Sequence, residues 1–448
     1  MRVGGVLGDR RSTSGARPSA ALSGAFGAFA TLARIGRGAT SAAVVAILTF
    51  SHGSRAAPID TSGPVDHHPI HHVLATGQSL SVGANGYPAL TTAQPYDNIM
   101  FAPGVIPGGE GLHKFSPLVE RGLETMSSSF ANLVGKMARE ELHAASNLDP
   151  HDLLVSAHGV SGVGYWALKR GTKPYTIGLA QVKAGRDIAK AQGRPYVVRA
   201  ITNVHGESDH VRQNLRYESD LLTWQADYER DVRAITGQRE PVPMFETQMS
   251  SFTRYGAATS PIPGAQLAAH VHAPGKLILV GPKYHLPYAS DGIHLTNEGY
   301  RHMGEDYAKA YRRVVLEGRT WEPVRPQRIA RSGATIVVTF YVPSPPLVLD
   351  TARVSDPGNY GFEYEEAGPH APTIRNVAVT GPDTVSVTLS APSTDKSARL
   401  RYAFTGNAHA KAGPRTGPRG NLRDSDTTPS RSNNELFNWC VHFDEPVP

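Results

Sequence analysis

His72-Val73-Leu74-Ala75-Thr76-Gly77-Gln78-Ser79-Leu80-Ser81 is the stretch from which the rest of the chain is read. A short apolar run, Val73 to Thr76, stops at a glycine. A run of this kind, bounded by a turn residue, reads as a buried strand. Ser79 then falls on a sharp turn at the strand end, where its hydroxyl and its backbone N–H face the same space. Those are two parts of an acyl-transfer site, a nucleophile and an oxyanion donor. Gly-Xaa-Ser turns are common, so the reading depends on what lies downstream.

Strand candidates recur at Leu153–Ala157, Tyr196–Val204, Val242–Thr247 and Leu277–Val280. Helical patterns separate them, at Ser127–Ala144, Ile177–Ala191, Tyr217–Thr236 and Gly264–His272, and Thr296–Leu316 closes the series. Strands alternating with helices predict an α/β fold with a five-stranded parallel sheet covered on both faces. Ligands of such sheets sit beyond the carboxyl ends of the strands, and two polar clusters fall there. Asn203-Val204-His205-Gly206-Glu207-Ser208-Asp209 follows the third strand, and Ser290-Asp291-Gly292-Ile293-His294-Leu295-Thr296 precedes the last helix. Asp291 can reach His294 Nδ1 across a tight turn and leave Nε2 to accept a serine proton. Each cluster alone also fits a helix start, capped by Ser208 or Asp209 in one case and by Thr296 in the other.

Together, in this order, Gly-Gln-Ser, His-Gly-Glu-Ser-Asp and Asp-Gly-Ile-His resemble the blocks of the GDSL/SGNH hydrolases. The nearest branch is the sialate O-acetylesterase-like and acetylxylan-esterase-like carbohydrate esterases. The resemblance covers about residues 73–316. It implies a three-layer flavodoxin-like domain and a hydrolase acting on carboxylic esters without cofactor or metal. Ser79 would be the nucleophile, His294 the general base and then acid, and Asp291 the residue that orients it. The oxyanion hole would combine the N–H of Ser79, the N–H of a glycine in His158-Gly159-Val160-Ser161-Gly162-Val163-Gly164, and a side-chain donor. Gly162 is the first choice and Gly159 the second. His205 stands where the family has glutamine, so it becomes the expected donor. Glu207 is expected to be a structural hydrogen-bond partner. The implied substrate is an acetylated carbohydrate. The alternatives are another acyl ester on the same fold, or a non-catalytic carbohydrate-binding surface protein.

The chain of 448 residues accommodates more than this domain. After Trp321-Glu322-Pro323 come short runs rich in Val, Thr and Ile, at Thr335–Val342, Ile374–Val379 and Thr384–Leu389. They predict a small all-β, sandwich-like domain. The expected organisation is an esterase domain over 66–320, the β domain over 321–410 and a loop-rich arm over 411–448. Residues 1–57 read as an export leader: Arg34 and Arg37 precede the apolar stretch Ala39 to Phe50, and Ser54-Arg55-Ala56-Ala57 offers small residues for cleavage. A secreted or periplasmic protein follows.

The formal charge is +6, but the leader holds seven arginines and one acid, Asp9. The remainder carries 38 basic and 38 acidic residues, so nothing points to nucleic acid or to an anionic membrane as partner. The lone cysteine, Cys440, excludes an intrachain disulfide and reads as a packed apolar residue. The histidines of Asp66-His67-His68-Pro69-Ile70-His71-His72 match no closed zinc spacing. Tyr165 and Trp166 are candidates for a sugar platform or for the core.

Overall fold

The computed structural model describes residues 68–142 and 151–448. The leader expected over 1–57, together with Asp66 and His67, lies outside the described residues. Among the described residues no helix is long and apolar enough to cross a membrane.

The chain builds a central sheet from β1 (Ile70–Gly77), β2 (Ile99–Phe101), β3 (Phe115–Pro117), β4 (Asp152–Ala157), β5 (Tyr196–Val204), β6 (Met244–Gln248) and β7 (Leu277–Pro282). Their order is β3-β2-β4-β1-β5-β6-β7. All neighbouring pairs are parallel except β2 with β3. The five expected strands and β2 run parallel, β3 runs antiparallel, and the sheet has seven strands, which corrects the expectation of five. The two extra strands are three residues each, too short for a period of two to register in the sequence.

Helices cover both faces. α1 (Met126–Lys136) and α6 (Asn297–Tyr311) pack on one side, through Phe130, Tyr300 and Tyr307 against Val73 and Ala75 of β1. α2 (Lys173–Ala191), α4 (Tyr217–Thr236) and α5 (Ile262–His272) pack on the other, through Val182, Trp224 and Ile262 against Leu74. Adjacent residues of one strand thus feed opposite apolar layers, as the pleat demands. A short helix, α3 (Glu207–Val211), follows β5.

Beyond Trp321 lies an antiparallel β module. β8 (Arg325–Ser332), β9 (Thr335–Tyr341), β12 (Ile374–Val379) and β13 (Thr384–Leu389) make one sheet, in the order β12-β13-β9-β8. β11 (Phe362–Glu365), β14 (Arg399–Tyr402) and β16 (Phe443–Pro446) make a second, and β10 (Val348–Leu349) pairs with β15 (Leu422–Arg423). Val338, Phe340 and Val387 of the first sheet share an apolar layer with Phe362, Tyr402 and Phe443 of the second. The same layer includes Leu267 of α5, Leu279 of β7, Tyr284 and the buried Cys440. The β module is therefore packed onto the far end of the central sheet through a continuous core.

Candidate active site

The site grows from the end of β1. Gly77 has φ +126°, and a Cβ there would lie 2.3 Å from the carbonyl oxygen of Val204, so only glycine fits. The chain turns at once into the 3-10 segment Ser79–Val82. Ser79 opens that segment, so its N–H has no partner within the turn. The side chain is buried but reaches a cavity of about 480 Å³.

Ser79 Oγ lies 2.8 Å from His294 Nε2. His294 Nδ1 lies 2.6 Å from Asp291 Oδ2. With Asp291 ionised, Nδ1 carries the proton and Nε2 accepts from the serine hydroxyl. Asp291 is itself held on both oxygens. Its Oδ1 accepts from the N–H of Ile293 at 2.9 Å and of His294 at 3.0 Å, and its Oδ2 accepts from Asn85 Nδ2 at 2.8 Å. Burial opposes ionisation of Asp291, but the His294 and backbone hydrogen bonds outweigh it and hold the carboxyl below its usual range.

The turn that carries Asp291 and His294 is braced from outside. Arg254 Nε donates to the Asp291 carbonyl at 2.9 Å. The N–H of Ala412 donates to the Gly292 carbonyl at 3.1 Å. Gly292 has φ +71°, and a Cβ there would lie 2.3 Å from Lys411 Cβ. On the far side Thr296 caps α6 by accepting from the N–H of Gly299 at 3.1 Å. One cluster therefore both caps a helix and brings Asp291 to His294.

Of the two candidate glycines, Gly162 lies on the cavity wall. Gly159 does not face it; a Cβ there would meet Ser81 Oγ at 2.0 Å and the Gly77 carbonyl at 2.8 Å. His205 is not brought to the site, which corrects its expected place in the oxyanion hole. Its Nδ1 lies 2.7 Å from Tyr217 Oη, and its Nε2 lies 3.2 Å from the Val163 carbonyl and 3.5 Å from Asp209 Oδ2. Val204 packs on the α1 and α6 side, so the next residue turns to the other face, and the His205 ring meets Trp224 edge-on at 5.5 Å. Burial pushes the imidazole pKa down.

Glu207 does line the cavity, but its carboxylate is buried and faces Lys283 Nζ at 3.3 Å and the hydroxyl of Ser251 at 3.2 Å. Gln78 accepts from the N–H of Ser208 at 3.1 Å through Oε1, and so ties the serine turn to α3. Tyr165 is a core aromatic, edge-on to Trp224 at 5.5 Å. Trp166 is 53% exposed, and the guanidinium of Arg212 sits 4.9 Å above its ring. Arg212 lines the cavity and has no ion-pair partner among the described residues. Asn85 and Arg212 are the site residues that sequence reading passed over. Asn85 carried one usable signal, since it follows Gly-Ala in the same loop as Ser79.

No protein-family model matches the chain, and no curated protein matches it. Solved structures do. A carbohydrate acetylesterase from Xanthomonas citri aligns over 84% of this chain and 80% of its own, with TM-score 0.53 and 17% identity. A protein from Arabidopsis thaliana aligns over 54% of this chain and 98% of its own, with TM-score 0.40 and 15% identity. A carbohydrate acetylesterase from Sinorhizobium meliloti covers 53% of this chain and 97% of its own, with TM-score 0.29 and 12% identity. The chain thus shares its fold, over 84% of its length, with the acetylesterase from Xanthomonas citri.

Proposed function

We propose that this protein is a serine esterase that removes O-acetyl groups from a carbohydrate. The observation that carries the reading is the unbroken relay from Ser79 Oγ through His294 to Asp291, at 2.8 Å and 2.6 Å. Ser79 Oγ attacks the ester carbonyl while His294 Nε2 takes its proton. Asp291 keeps the imidazole in the right tautomer and stabilises the imidazolium. The tetrahedral oxyanion is held by the N–H groups of Ser79 and Gly162, each such donor being worth about 2.7–4 kcal/mol of barrier. His294 returns the proton to the sugar oxygen, which departs. It then deprotonates a water that attacks the acetyl-enzyme and releases acetate, restoring Ser79.

The rim favours a sugar that bears a carboxylate, such as an O-acetylated sialic or uronic acid. Arg212 offers planar N–H donors suited to bidentate binding of a carboxylate, and stacking on Trp166 holds it in place. The exposed indole adds an apolar surface of the kind that sugar rings cover. The leader read from the sequence would send the enzyme to the periplasm or outside the cell, where acetylated polysaccharides are found.

Ser79→Ala should lower p-nitrophenyl acetate turnover by at least about 10³-fold and abolish labelling by a fluorophosphonate probe. An alanine variant that hydrolyses the ester at the wild-type rate sinks the assignment. Acetate release from a panel of acetylated polysaccharides and sialic acids identifies the sugar.

A further inference from the structure

Away from the cavity, α6 and the segment after β7 bring three metal-ligating side chains together. His302 and Asp306 are four residues apart on α6, so they share a helix face, and His285 follows β7. One ligand atom from each lies within 4.8 Å of the other two. His285 Nε2 and Asp306 Oδ2 are already 3.2 Å apart. His302 Nε2 and Asp306 Oδ1 are buried polar atoms without a hydrogen-bond partner, and His285 turns Nε2 towards Asp306. Buried polar atoms are normally paired, so these two are open to a ligand.

The surroundings hold these rings in place. The His285 ring stacks on Trp439 at 5.8 Å and 15°, and it meets His302 edge-on at 5.3 Å. The His302 ring is hydrogen-bonded to the backbone at Glu435, which leaves Nε2 to point at the cluster. A metal-binding histidine is typically fixed in this way through its second nitrogen. Lys309 lies 3.8 Å from Asp306 Oδ1 and closer, at 3.3 Å, to Asp426 Oδ2.

We propose that His285, His302 and Asp306 form a binding site for a divalent ion of the zinc class. Two imidazoles and one carboxylate suit zinc or cobalt, whereas calcium and magnesium require oxygen ligands throughout. Three protein ligands leave a fourth position for water. None of the three residues lines the cavity that holds Ser79. The ion is a brace that pins α6 to the segment leading into the Asp291 and His294 turn.

The test uses the full chain, stripped with a chelator and dialysed. Zinc is titrated against a chromophoric competitor, and cobalt is followed by its visible absorption. One equivalent of zinc per chain, a raised midpoint of thermal unfolding and the intense band of a four- or five-coordinate cobalt are expected. His302→Gln and Asp306→Asn should each weaken zinc binding by about tenfold or more, while a His67→Ala/His68→Ala variant should bind as the wild type does. Equal affinity in His302→Gln and wild type, loss of binding in the His67→Ala/His68→Ala variant, or a cobalt spectrum identical to the hydrated ion would each overturn the proposal. If the α6 variants fail to fold, the wild-type cobalt spectrum decides.

Discussion

Asn85 shows how much of the proposed relay lies outside its three members. Its amide donates to the same Asp291 oxygen that faces His294, at 2.8 Å, from a residue at φ +68°. Asparagine is one of the few residues that tolerate that backbone region, and its short side chain reaches the carboxylate from there. In the proposed mechanism Asn85 is a positioning residue. Asn85→Ala should lower kcat about tenfold with little change in KM, because the interaction lost serves proton transfer rather than binding. Losing one donor also raises the Asp291 pKa, so the acid limb of the kcat/KM profile should move to higher pH. An unchanged profile with a normal kcat would show that Asn85 does not position the relay. The stability contribution of Asp291 has a definite sign. Its folded pKa is lowered, so its contribution is complete above the unfolded value of about 3.9 and fades as pH falls through the folded value.

At the scale of elements, the parallel strands were legible because each is a run of four to nine mostly apolar residues between helical patterns. Ser79, Asp291 and His294 were legible because short blocks place them at strand ends and helix starts. What escaped depends on contacts that no local window contains. β2 and β3 are edge strands too short to show alternation. His205 sits in a block that looks like a pocket wall, but the alternation set by Val204 sends its ring to the α4 layer. The contact of Asn85 with Asp291 crosses most of the α/β body. The turn at Gly292 depends on a neighbour from the C-terminal arm. Gly292→Ala would combine a strained φ of +71° with a Cβ 2.3 Å from Lys411 Cβ. Such strain costs about 1–3 kcal/mol. The expected outcome is a lower thermal midpoint together with a kcat reduced more than KM is raised, measured on p-nitrophenyl acetate.

For the molecule as a whole, buried acids make stability depend on pH. Glu246 on β6 is pushed up to about 8 by burial, which outweighs the nearby Gln266 amide and the charge of Lys283. Glu120 is likewise pushed up to about 8 by burial, against hydrogen bonds from Thr125 and Ser128. Below about 4.3 both states hold these protons, and nothing is gained or lost. Between there and about 8 the unfolded chain ionises while the folded one stays protonated, so stability falls as pH rises across that window. Glu246→Gln keeps the shape and removes the titration. Thermal melts at pH 5 and pH 8 should differ less for this variant than for the wild type, and an equal difference would refute the assignment of Glu246.

The segment that closes over the Asp291 turn has a consequence for biosynthesis. Ala412 secures Gly292, and His442 joins Ser250 at 2.8 Å while Gln248 exchanges hydrogen bonds with the His442 backbone at 2.8 Å and 3.0 Å. Translation delivers these residues long after Ser79 and His294. A nascent chain can assemble the parallel sheet as its strands emerge, but the turn that carries the imidazole stays without its outer support until the arm is made. On the proposed mechanism, competence therefore waits for the arm, and a chain cut before Ala412 would carry Ser79 with the histidine turn lacking that support.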